Sequence, residues 1–398
     1  MTSRSWKFLV PCVLLLFGLA ATFLSCSDDT NEDNSIIVPE LPLPVVFVKD
    51  TLIYATAGST YKQFGPMDGR YNLIGEEDGY TAMAAVAFYP SSFPLIDTLR
   101  VVSARLHLHM YSWYGDNSGA LRFTAHKILR SWSSYSLLWD TVQAAFYDPT
   151  ARGTFSGTGG PDTQTVSLTL DTSLVREWFS SSTEATKYGV MLVPEASSRV
   201  ARGFHAFGGD STKWNPTLEV TARNYPGATQ ETTLVFQSGV DTFVGNIDNL
   251  SSNPDLLYVQ AGVNYRSIVN FNVSFIPRGA TVLLAEMFLD RDPVTSRLST
   301  FSGDSSIAAH LALSAANPPL FEAIESDGRR MDGTAYTYKL EMTRAAQAWV
   351  RGPNYGAVLR RTTPGEFETF DLLTFHSPTA SPATVRPRMK ITYSWRTQ

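Results

Sequence analysis

Ser103-Ala-Arg-Leu-His-Leu-His-Met110 alternates without a break: Ala104, Leu106, Leu108 and Met110 fall on one side, Arg105, His107 and His109 on the other. Successive side chains of an extended chain point to opposite faces, so a period of two reads as a strand with one face in a core and one in water. Leu284-Ala-Glu-Met-Phe-Leu-Asp290 repeats the pattern with Ala285, Met287 and Leu289 inward. Working outward, shorter runs of the same kind lie at Leu121 to Ile128, Thr165 to Leu170, Val190 to Val193, Leu218 to Thr221, Ser267 to Val273, Ala357 to Leu359 and Met389 to Tyr393, parted by Gly, Pro, Asn or Ser. That cadence predicts an all-β chain of antiparallel, jelly-roll-like β-sandwiches. One short helix interrupts each half. Asp171-Thr-Ser173 is placed to cap Leu174 to Phe179, and Thr343 to cap Arg344 to Val350 before Gly352.

The halves repeat one another. Thr51-Leu-Ile-Tyr reads against Thr233-Leu-Val-Phe, Trp178 followed by Lys187-Tyr-Gly189 against Trp349 followed by Asn354-Tyr-Gly356, and Pro216-Thr-Leu-Glu-Val220 against Pro387-Arg-Met-Lys-Ile391. A repeat of this length is a whole domain, large enough to bury its own core. The expected boundaries are residues 45–224 for the first copy and 231–395 for the second, joined by the short connection Asn224 to Gln230.

The first residues address the chain. Arg4 and Lys7 precede an apolar run from Phe8 to Leu24, which ends at Ser25-Cys26 and gives way to the acidic Ser27-Asp-Asp-Thr-Asn-Glu-Asp33. Residues 1–25 read as a signal peptide, too short in its apolar part to span comfortably as an anchor. A small residue before a cysteine at that point resembles a bacterial lipobox, which implies lipidation of Cys26 and membrane attachment through the N-terminal lipid. The acidic residues that follow resemble the export signals of Bacteroidota-type surface lipoproteins, so the expected address is the outer membrane, facing the cell surface. Residues 26–44, with little apolar pattern and Val38-Pro-Glu-Leu-Pro-Leu-Pro44, read as a semi-extended tether.

Composition narrows the partners. The whole chain carries a formal charge of −5, and losing Arg4 and Lys7 with the leader makes it more negative, which argues against nucleic acid. Cys12 leaves with the leader, so no disulfide or thiol nucleophile remains, and stability rests on the cores.

Phe271-Asn-Val-Ser-Phe-Ile-Pro-Arg-Gly-Ala-Thr-Val-Leu-Leu-Ala-Glu-Met-Phe-Leu289 resembles the corresponding run of DNRLRE-type domains, grouped with carbohydrate-binding module family 96. The order of later features is similar too: a Trp pair, a helix with one Trp, a Tyr-Gly before a strand and a closing Pro-x-Leu-x-Val. The first copy supplies all of these, with Trp132 and Trp139 as the pair; the second has Ala309 to Pro319 in place of the pair. The resemblance implies a non-catalytic module that holds a polysaccharide. Sugar rings lie with their C–H faces on aromatic side chains, so candidate ligand-binding residues are Tyr111, Trp113 and Tyr114, read as a loop after the histidine strand, and Trp132, Tyr135 and Trp139 in a Ser-rich connection. The Trp pair also reads as loop or core packing, and Trp178 and Trp349 as plugs between helix and sheet.

Other chemistries are weighed from the residues. His107 and His109 share a strand face, and His126 is placed on a neighbouring strand as a third metal ligand, yet the second copy has Phe288 and Asp290 at the first two sites and only His310 opposite His126. His205 and His376 recur symmetrically and read as structural hydrogen-bonding groups. Glu76, Glu77 and Asp78, and Asp241, Asp248, Asn253 and Asp255, are candidate ligands for a structural calcium ion, but neither group has a spacing that fixes a coordination shell, and acidic turns are the favoured reading. No zincin, nucleophile-elbow or phosphate-loop motif is present, so the chain is not read as an enzyme and no cofactor is expected. The second reading of function is an assembly lipoprotein that binds another envelope protein.

Overall fold

The computed structural model describes residues 45–396 apart from 68, 78, 90–91, 94–95, 97, 143–144, 162–163, 181–187, 210–211, 225–226, 248–249, 251, 264, 300–305, 332–335 and 364. The signal peptide, Cys26 and the tether lie outside the described residues, as do Asp78, Lys187 and Asp248.

The chain is all-β and antiparallel throughout. The first half holds β1 (Val46–Lys62), β2 (Tyr71–Glu77), β3 (Tyr80–Phe88), β4 (Arg100–Gly115), β5 (Ala120–Ile128), β6 (Tyr147–Thr158), β7 (Thr165–Thr169), helix α1 (Thr172–Ser180), β8 (Val190–Pro194), β9 (Val200–His205) and β10 (Thr217–Arg223). The second holds β11 (Thr232–Ile247), β12 (Leu256–Gln260), β13 (Tyr265–Phe271), β14 (Thr281–Asp290), β15 (Ile307–Ala312), β16 (Phe321–Arg330), β17 (Thr337–Glu341), α2 (Thr343–Arg351), β18 (Ala357–Arg361), α3 (Gly365–Glu368), β19 (Leu372–His376) and β20 (Arg388–Arg396). Asp171 caps α1 by accepting the Ser173 N–H at 2.8 Å. Thr343 does not cap α2: its hydroxyl instead accepts the Ala285 N–H at 2.9 Å, pinning the helix to β14.

Strands β13, β18, β15, β16, β17, β14 and β20 form a closed barrel that β1 completes. Their counterparts β3, β8, β5, β6, β7, β4 and β10 form the same ring, with β11 between β10 and β3 and the β6–β7 seam reduced to a single bridge, Gly153 to Leu170. We call these barrel two and barrel one. The sheets therefore do not follow the repeat boundaries at 45–224 and 231–395: the first strand of each repeat closes the barrel of the other. Strands β10 and β11 form a hairpin inside barrel one, clasped by Arg223 and Glu231 at 2.7 Å, and the chain passes between barrels after Lys62 and again between Ile247 and Leu256.

The two closing strands fill equivalent slots. The Ala55 N–H donates to the Pro387 carbonyl and the Ser238 N–H to the Pro216 carbonyl, both at 2.8 Å, and each strand bulges just after that residue. Ile53 faces Met389 as Phe236 faces Leu218. The match of Thr51 with Thr233 is thus one residue out of register, and a one-residue slip exchanges the inner and outer faces of a strand. Val235 is exposed for this reason, while Phe236 is buried.

Inward residues behave as their alternation requires. Ala104, Leu106, Leu108 and Met110 are buried in barrel one, and Ala285, Met287 and Leu289 in barrel two, each Leu or Met contributing about 1.5–3 kcal/mol of hydrophobic stabilisation. Trp178 and Trp349 plug their helices onto the barrels. Phe370, from barrel two's β18–β19 connection, sits in the core of barrel one, against Tyr80 and Phe243 at 5.6 Å and Tyr114 at 6.2 Å between ring centroids. Gly245 and Gly262 leave room for it, because a side chain at either would collide with its ring.

Candidate functional site

Strand β4 outruns its counterpart. Beyond Met110 the alternation continues, with Ser112 and Tyr114 inward and Tyr111 and Trp113 outward, so the expected loop over Tyr111 to Tyr114 is strand. Paired with β9 and β7, this extension lines up four outward side chains: His107, His109, Tyr111 and Trp113.

Tyr111 is the centre of an aromatic array. Its ring stacks on Tyr71 of β2 with centroids 4.0 Å apart and planes 6° apart, and lies 4.8 Å from the ring of His205 on β9. His205 stacks on Trp214, which follows β9, and His109 meets the same indole edge-on at 5.1 Å. Lys213 stands over Trp214 at 4.7 Å and Arg70 over Tyr71 at 5.6 Å, so a cation flanks each end. Tyr71 is buried beneath the array, whereas Tyr111, His109, His205 and Trp214 are half-exposed. The surface is a stepped aromatic shelf, the Tyr111 and His205 rings tilted 58° to each other, with imidazole and hydroxyl edges: Thr165 Oγ1 lies 2.7 Å from His109 Nδ1, and Ser167 Oγ 2.7 Å from His107 Nδ1. Burial, reinforced by the nearby His107 and Lys213, holds the His109 imidazole below its usual pKa.

The sequence candidates divide. Tyr111 is in the array. Trp113 is outward and half-buried, with the Arg202 guanidinium 5.1 Å above its ring. Tyr114 is buried and withdrawn from any ligand surface: its hydroxyl donates to Asp371 Oδ1 at 3.0 Å and accepts the Phe370 N–H at 2.7 Å, binding β4 to barrel two. Trp132 and Trp139 are half-buried over Met83, Ile128 and Met191, on a different side of barrel one; the Trp132 indole N–H donates to the Tyr188 carbonyl at 2.9 Å. Tyr135, on the same connection, is 74% exposed. The sequence does not join Tyr71, His205 and Trp214 to Tyr111, because each is isolated along the chain and the pairing of Tyr71 with His205 across β2 and β9 is what brings the rings together.

The histidines do not converge on a metal. β5 pairs with β6 and β8, not with β4, so His126 is remote from His107 and His109; its ring bonds Thr124 Oγ1 at 2.7 Å and the Asp148 carbonyl at 2.9 Å. His310 makes the matching contact with the Glu322 carbonyl at 2.8 Å. Among the described residues no three His, Cys, Asp or Glu side chains are grouped to hold a metal ion. Asp241, on β11, accepts the distant Phe207 N–H at 2.9 Å, and Asn253 forms a local turn by accepting the Asp255 N–H at 2.9 Å.

A second polar concentration lies between the barrels, on the connection 362–371. Glu366 accepts from Arg266 Nε at 2.9 Å and from Arg360; Glu368 accepts from Arg70 at 3.0 Å; Asp371 accepts the Ser299 N–H at 2.7 Å and stands 3.6 Å from Arg361. Burial pushes the Asp371 carboxyl up from its usual range and the Tyr114 phenol well above its own, the neighbouring Asp371 adding to the latter. Every carboxylate here is engaged by a cation, and the cluster serves as an inter-barrel bolt.

No protein-family model and no curated protein matches this chain. Among solved structures, a chain in the structure of the Macrobrachium rosenbergii nodavirus aligns over 93% of this chain and 95% of its own, at 8% identity and a TM-score of 0.14, a likeness too slight to bear on fold or function. No helix among the described residues is long and apolar enough to cross a membrane.

Proposed function

We propose that the protein is a non-catalytic carbohydrate-binding lipoprotein of the DNRLRE type, held at the outer-membrane surface by a lipid on Cys26 and engaging a polysaccharide through barrel one. The observation that carries this reading is the shelf of Tyr111, His205 and Trp214 over Tyr71, with Lys213 and Arg70 at its ends. Aromatic faces give a sugar ring large contact at low entropic cost, and the imidazole, hydroxyl and cationic edges supply donors and acceptors for its hydroxyls.

The test is affinity electrophoresis of residues 27–398 through gels containing acidic and neutral polysaccharides, beside Tyr111→Ala and Trp214→Ala. Retardation by a polymer, reduced about tenfold in affinity by either change, a loss near 1.4 kcal/mol, supports the reading. Retardation by none, or retardation indifferent to both changes, overturns it. The change Tyr135→Ala on the opposite connection serves as the control and leaves retardation unchanged.

A further inference from the structure

Barrel two is closed by a strand that the repeat pattern assigns to the other half of the molecule, and this exchange has a property of its own. We propose that β1 also closes barrel two of a second copy of the chain, so that neighbouring molecules associate by exchanging this strand.

Three observations carry the proposal. First, the slot recognises a repeat's first strand and not a particular connection. The slot between β20 and β13 and that between β10 and β3 hold their strands in the same register, with the same bulge and the same hydrogen bond at Ala55 and Ser238. An identical β1 from another molecule reproduces every one of these contacts. Second, β1 is held lightly by its side chains. Only Ala55 and Tyr61 are buried along Val46–Lys62, whereas β11 buries Phe236, Phe243, Val244 and Ile247. Its own residues take little apolar surface into the barrel, and an identical incoming strand restores its ladder hydrogen bonds together with the side-chain bonds of Asp50 to Thr392, Thr60 to Ser267 and Lys62 to Asn246. Third, β1 already reaches across to another body: the chain leaves barrel two at Lys62 and is anchored in barrel one's core at Met67, so opening between those residues frees the strand without disturbing a barrel-one hairpin. Exchange of identical elements is a low-cost route to association, and the balance between the closed and exchanged forms is set by the connection and by local concentration. The partner is therefore a second copy, reciprocally as a pair or in series when a third molecule supplies the strand. This inference is independent of the sugar-binding reading.

The chain from residue 27 contains no cysteine, and Leu52 and Lys390 are exposed partners across β1 and β20, so Leu52→Cys and Lys390→Cys report the pairing. The two single variants are mixed, taken through partial unfolding in urea, returned to buffer under mild oxidation and digested for mass spectrometry, alongside the double variant. The expected result is a disulfide joining positions 52 and 390 of two different chains in the mixture, rising in yield with protein concentration. A link that forms only within the double variant, at every concentration, overturns exchange between molecules. Failure of the double variant to form the link overturns the β1–β20 pairing and the proposal with it.

Discussion

Strands β4 and β14 occupy the same position in their barrels and both turn small and aliphatic residues inward, yet their outer faces have parted. On β4 the outward stripe is His107, His109, Tyr111 and Trp113, all half-exposed, and His109 and Tyr111 join the aromatic shelf. On β14 it is Glu286 and Phe288 before the strand ends at Asp290, and each of these is spent on a neighbour: Lys339 bonds Glu286 at 3.1 Å, Arg388 bonds Asp290 at 2.7 Å and its guanidinium covers Phe288 at 5.7 Å. A duplicated barrel needs its inner face in both copies to fold. Its outer face is needed only where something binds, and elsewhere short ion pairs can close it off.

Changes that strike the shared core should break the contrast altogether. Phe370→Ala empties a ring from the core of barrel one while altering barrel two's own connection; we expect a loss of about 3–5 kcal/mol and, in calorimetry, separation of one unfolding transition into two. A single unshifted transition would show that the peg does not couple the barrels. Next in size, Arg388→Met removes the partner of Asp290 and the cover of Phe288; chemical denaturation should register about 1 kcal/mol, with retardation by polysaccharide unchanged. Altered retardation would place binding on barrel two and reverse the comparison.

The smallest expected effect is in pH dependence. The folded imidazole of His109 has its pKa depressed by burial, His107 and Lys213, so the unfolded chain binds a proton there more readily than the folded one. Its contribution to stability is complete above the ordinary histidine pKa of 6.5 and is lost as pH falls through that value toward the folded one. Denaturation midpoints across this window should vary less in His109→Gln than in the parent, and Lys213→Ala should narrow the parent's variation. No difference between the parent and His109→Gln would remove the imidazole from the shelf's electrostatics.

Much of this was legible in the sequence, because inward residues are selected by a period of two that survives any topology. The alternation in Ser103 to Met110 and Leu284 to Asp290 placed every core residue it named, and Trp178 and Trp349 lie where the repeat put them. Which barrel a strand completes is not written in its own residues: Thr51 to Ala55 fits a slot of either half, so the exchange of β1 and β11 could not be read from them. The shelf was half-visible for a related reason. Tyr111 belonged to an aromatic run, but Tyr71 and His205 meet only through cross-strand pairing, and Tyr114, taken with Tyr111 as a surface group, points the other way by the alternation that identified the strand.

The exchanged strand also decides how the molecule carries load. A pull on the chain ahead of Val46 enters through barrel two, although the sequence next after β1 builds barrel one. Val46 to Tyr54 are laddered to β20 and Ala55 to Lys62 to β13, so tension along the strand is resisted in shear by both seams at once, whereas a sideways pull peels the Val46–Arg396 pair first. Barrel one and its aromatic shelf stand downstream of that seam, and keep their shape until it gives way.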